Sequence, residues 1–172
     1  MIFNLTNKRI SKKLLLLLCM TICTQLAFAQ NDGNSTSSVK AIFDEFMQYR
    51  HENKVDKALE TLKEAANIAE TNEDSKLLLD TYHQYARLFL EGGDRESATF
   101  YWDRASILLK DTSYSYGEAF HLYLDAALRY DEGNNFQALK QLEESRKLSN
   151  NRNLTNNILL LEANIYINIE KY

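Results

Sequence analysis

From Val39 onward, apolar residues return every three or four positions almost to the end of the chain, the period of an amphipathic helix. In EGGDRESATFYWDRA, residues 91–105, Ala98, Trp102 and Ala105 stand four and three apart and share one helical face. Small residues there let a second helix come close, and the indole fills the space between them. The pattern recurs. KVDKALETLKEA presents Ala58, Leu62 and Ala65, and NNFQALKQLEES presents Ala138, Leu142 and Ser145. The leading alanines, 58, 98 and 138, lie 40 residues apart twice over. Self-similarity at a fixed period of this size predicts a stack of repeated helical pairs.

Each of these segments follows a helix of its own. Tyr82, Tyr85, Ala86 and Phe89 share a face and end at Gly92-Gly93-Asp94. Leu122, Ala126 and Tyr130 precede Gly133-Asn134-Asn135, and Ile42, Phe46 and Tyr49 precede a break at Asn53. Gly and Asn readily adopt the left-handed conformation that ends a helix. Asp94 or Asn135 can then cap the next one, and Glu96 suits its positive N-terminal end. Composition agrees: there is no proline, only 5 glycines, 45% hydrophobic and 26% charged residues. An all-α protein of ordinary globular composition is expected.

This arrangement resembles the tetratricopeptide repeat. Tyr82, Tyr85, Ala86, Phe89, Gly93, Asp94, Ala98, Trp102 and Ala105 follow the family's pattern position by position. The first and third units depart from it: Glu45 and Asp125 stand where a large apolar residue is usual, and the third unit reads as one residue short at its turn. The resemblance implies a right-handed solenoid of antiparallel helix pairs. Its repeats are expected at about 39–72, 79–112 and 119–152, with a partial fourth at 156–172. The period exceeds the family's usual 34, so helices lengthen or links such as Thr71–Ser75 and Asp111–Ser115 do. Residues 154–169 are apolar nearly all round, which implies an interior helix, the front of a longer protein, or self-association through 154–170.

Two segments lie outside the repeats. Lys8, Arg9, Lys12 and Lys13, a short apolar run over 14–28 and the ending Ala27-Phe28-Ala29 have the layout of a secretory signal peptide cleaved after Ala29. The run is too short and too interrupted to span a bilayer, so no membrane insertion is expected after cleavage and the product would be exported, to the periplasm. Both cysteines, Cys19 and Cys23, lie in that run, which leaves the mature chain no disulfide and no thiol chemistry. Cleavage removes four positive charges and no negative ones, taking the net charge from −4 to −8, which argues against nucleic acid. Residues 30–38, QNDGNSTSS, form a polar linker before the repeat domain at 39–172.

No catalytic constellation, cofactor motif or metal-ligand set is apparent. His51, His83 and His121 lack any HExxH spacing, and Asp80 with His83 offers two ligands but no third. In the tetratricopeptide family the first helices of successive repeats line a groove that holds peptide segments. Carried over one position at a time, that groove would comprise Phe43, Met47 and Arg50, then His83, Arg87 and Leu90, then Tyr123, Ala127 and Tyr130. The sequence thus points to a non-enzymatic scaffold for a protein or peptide partner. Two other readings remain open: the sensor region of a bacterial signalling protein (a histidine kinase or helix-turn-helix regulator), or a subunit of an envelope complex.

Overall fold

A computed structural model describes residues 39–170, so the expected signal peptide and the whole of the linker at 30–38 lie outside the described residues. The described residues from 42 onward belong to one compact unit.

Seven helices and no strand are found among the described residues: α1 (39–51), α2 (Val55–Thr71), α3 (Ser75–Glu91), α4 (Arg95–Leu109), α5 (Ser115–Asp131), α6 (Asn135–Leu148) and α7 (Arg152–Ile169). The protein is all-α, with a repeat-like succession of helices. The 40-residue period of the sequence reappears in the elements themselves. Val55, Arg95 and Asn135 open α2, α4 and α6, and Ser75 and Ser115 open α3 and α5. Most of the length goes into the helices, several of which run to 17 residues, and little into the links between them.

The turns keep the same register. Asn53, Gly93 and Gly133, again 40 apart, take the left-handed conformation with φ of 55°, 78° and 78°. At each, the next amide reaches back to the carbonyl five residues earlier: Lys54 to Tyr49, Asp94 to Phe89, Asn134 to Arg129. The left-handed residue itself donates three back, closing the two-bond helix terminus that only such a conformation permits. The third unit is therefore not one residue short. Gly133 falls where the period puts it, and Arg129, not Tyr130, corresponds to Phe89. The opening caps differ in detail from expectation. The Asp94 carboxylate accepts from Ser97 N and Ser97 Oγ, but Asn135 is the first residue of α6 and caps nothing.

Packing follows the small residues. Ala58, Ala98 and Ala138 are all buried, as are Ala65, Ala105 and Ser145 two helical turns later. Ser145 replaces a methyl with a hydroxyl, and that hydroxyl donates to the Ala119 carbonyl of α5 at 2.7 Å, so its burial leaves no orphan. Two core clusters result. One gathers Phe46, Ala58, Leu62, Leu79, Tyr82, Tyr85, Leu88 and Ala105 from α1 to α4. The other gathers Phe120, Leu124, Leu142, Leu154, Ile158 and Ile165, chiefly from α5 to α7. The Tyr101 ring packs against both and stacks on Tyr85 at 4.4 Å. Trp102 is half-buried rather than buried: it lies flat on the His121 imidazole at 4.5 Å and donates Nε1–H to the His121 carbonyl.

The two polar departures from the repeat pattern are accommodated locally. Glu45 stays exposed and accepts from the Tyr49 hydroxyl at 2.7 Å. Asp125 is buried but holds Arg129 at 2.9 Å, one turn along, and Arg129 reaches on to Gln137 of α6.

Candidate binding site where the first, third and seventh helices meet

The strongest convergence of polar side chains comes from three helices. Arg50, near the end of α1, clasps Glu91 at the end of α3 with two bonds, Nε to Oε2 at 2.7 Å and Nη2 to Oε1 at 2.8 Å. Arg87, one turn before Glu91, donates Nε–H to the same carboxylate at 2.9 Å and approaches Asn157 Oδ1 of α7 at 3.4 Å. One carboxylate thus serves two guanidinium groups and the cluster keeps a net positive charge. Burial alone would raise the Glu91 carboxyl, but the hydrogen bonds and charges of Arg50 and Arg87 outweigh it and hold the group below its usual range. A cavity of about 380 Å³ opens beside the cluster, lined by Met47, Arg50, His51, Arg87, Asn153, Asn156 and Asn157.

Of the nine residues carried over from the tetratricopeptide groove, three meet here: Met47, which is 37% exposed, Arg50 and Arg87. Tyr123 of α5 is mostly enclosed but close enough to feel the charges of Arg87, Glu91 and Arg50. Phe43 packs on the first core cluster, and Ala127 and Tyr130 pack on the second, so these three are framework for the site more than surface in it. Leu90 is half-buried and lines none of this cavity. His83 does not face a groove at all: it is 1% exposed, wedged between Phe120 and His121. Sequence reasoning missed Glu91 and the asparagines of α7. Glu91 stands four residues after Arg87, the spacing of a helical ion pair. For the NRNLTNN stretch, no local pattern ties it to α1 or α3.

His83 belongs to a second polar line. Its Nε2 lies 3.3 Å from His121 Nδ1, and His121 Nε2 lies 2.9 Å from Ser106 Oγ on α4. Burial depresses both imidazoles, His83 well below its ordinary value, where the neighbouring His121 adds to the effect, and His121 to about 4 despite the opposing pull of Asp125. Both rings are therefore neutral at neutral pH and act as hydrogen-bonding core groups. Ser106 and His121 border a shallow cavity of about 370 Å³ with Lys110, Thr112 and Glu118. Among the described residues no group of three His, Cys, Asp or Glu side chains is placed to hold a metal ion, and no helix is long and apolar enough to cross a membrane. No protein-family model, curated protein or solved structure matches the chain.

Proposed function

We propose that the chain is a non-enzymatic, tetratricopeptide-like scaffold, a right-handed solenoid of three helical pairs and part of a fourth. It would hold an extended segment of a protein partner on the face shared by its odd-numbered helices. The observation that supports this reading best is the meeting of Met47, Arg50, Arg87 and Asn157, drawn from three helices, around one open cavity. Such a surface offers an apolar contact, two guanidinium groups and several amides, the mixture that recognises a peptide backbone and its side chains. Export follows from the layout of residues 1–29, and an intact mass beginning at Gln30 in the envelope fraction is the expected result.

The binding test uses a panel of immobilised synthetic peptides that vary in charge and apolar content. Binders should lose roughly 1–3 kcal/mol of affinity on Arg87→Ala or Met47→Ala, the scale of interface hot spots. A panel without binders, or binders indifferent to both substitutions, would remove the cavity from this role.

A further inference from the structure

The side of α7 turned away from its buried stripe is apolar and uncovered. Leu154, Ile158, Leu161 and Ile165 are buried, in the core cluster that α7 forms with α5 and α6. At 100° per residue, Leu159, Leu160, Ala163, Tyr166 and Ile167 fall on the opposite side of the helix. Leu160 is 65% exposed, and Leu159, Tyr166 and Ile167 are each more than half exposed. Beside them on α6, the Phe136 ring is 82% exposed and borders a groove with Leu139, Glu162 and Tyr166.

The polarity of this face is symmetric about Ala163. Three and four residues before it stand Leu160 and Leu159; three and four after it stand Tyr166 and Ile167; seven away on either side stand the polar Asn156 and Glu170. A surface that reads the same in both directions suits an isologous contact, in which a two-fold axis brings a patch against itself. We propose that the outer face of α7 is the interface of a homodimer, with two copies of α7 packed antiparallel about a two-fold axis at Ala163.

The geometry is specific. With the axis through Ala163, the small methyl groups meet at the centre and let the helices approach closely. Leu159 of one copy then comes beside Tyr166 of the other, and Leu160 beside Ile167. On the Tyr166 side lies the groove closed by Phe136 and Leu139, with a volume of about 340 Å³, which places a hole where the incoming Leu159 supplies a knob. Charge does not oppose the pairing. Between Asn156 and Ile169 the only ionisable side chain that carries charge at neutral pH is Glu162, and Arg146 of α6 already binds it. Covering four side chains of this size and the Phe136 ring removes on the order of 500 Å² from each copy, about 1,000 Å² in all, the level at which specific association begins.

The test uses the full chain with Cys19 and Cys23 replaced by serine. Sedimentation equilibrium should give a dimer that Leu160→Glu with Ile167→Glu converts to a monomer of unchanged helical content, since both side chains are exposed. Cysteine placement reads the register even if the charged variant fails to fold. Ala163→Cys should oxidise to a covalent dimer by itself. Asn156→Cys and Glu170→Cys should each form no covalent cross-link alone and cross-link when mixed. A monomer at every concentration, a dimer indifferent to the two glutamates, or Glu170→Cys cross-linking to itself as readily as Ala163→Cys would overturn the proposal. So would a monomer in which another part of the chain shields the α7 outer face from amide exchange.

Discussion

The titrating residues of the interior pull stability in opposite directions as the solution is acidified. Burial holds His83 and His121 below their ordinary value of 6.5 in the fold, so the unfolded chain takes up protons first. Their contribution is complete above about pH 6.5 and is lost progressively as pH falls toward 4. Asp80 behaves inversely. Burial raises its carboxyl to about 6, with Tyr114 and Lys76 opposing and Asp74 assisting, so the fold binds this proton before the unfolded chain does and gains stability between pH 6 and 4. Asp80→Asn removes that gain while leaving an oxygen to accept from the Tyr114 hydroxyl. The variant's melting temperature should therefore fall more steeply than the wild type's between pH 6 and 4. Parallel curves would mean that the Asp80 carboxyl titrates with its unfolded value.

At the scale of the element, the turns and the small-residue faces carry the architecture. Gly93 and Gly133 both hold φ at 78°, and a methyl group added at either meets nothing within 4 Å. Gly93→Ala and Gly133→Ala should thus each cost ~1 kcal/mol in a denaturant melt, from backbone strain alone. Gly117 is the contrasting case: its added methyl would fall 2.6 Å from a Tyr114 ring carbon and 2.8 Å from a Leu79 methyl. Gly117→Ala should destabilise more than either turn variant, and an equal or smaller loss would show that the α3–α5 contact yields easily. The turns and buried alanines were legible in the sequence because both obey short-range rules, the left-handed helix ending and the 3.6-residue face. The depth of a side chain was not. His83 and Arg87 are one turn apart on the same helix, yet one is sealed by Phe120 and His121 while the other reaches Glu91 and Asn157. That difference is set by α5 and α7, residues distant in sequence, and no local spacing encodes it. Trp102 was likewise expected to be enclosed, whereas His121 covers one face of the indole and leaves the residue only half-buried.

Across the whole unit, the interior is divided. Phe46 and Leu62 belong to a cluster built from α1 to α4, Ile158 and Leu142 to one built mainly from α5 to α7, and the bridging rings are few, Tyr101 foremost. Where each helix touches mainly its neighbours in the chain, stability approaches a sum of local and nearest-neighbour terms, and one end can loosen while the other holds. Phe46→Ala and Ile158→Ala probe this directly, since both side chains are fully buried and each should cost roughly 2–5 kcal/mol through the cavity left behind. Native-state hydrogen exchange should then separate them. Phe46→Ala should accelerate amide exchange in α1 and α2 while α5 and α6 keep their protection. Ile158→Ala should accelerate exchange in α7 and α6 while α2 and α3 keep theirs. Tyr101→Ala removes the ring that both clusters share, and it should make each half more independent of damage to the other. If instead either deletion lowers protection evenly from α1 to α7, the two clusters unfold as one cooperative body, and the stacking rings around Tyr101 couple them far more tightly than their number suggests.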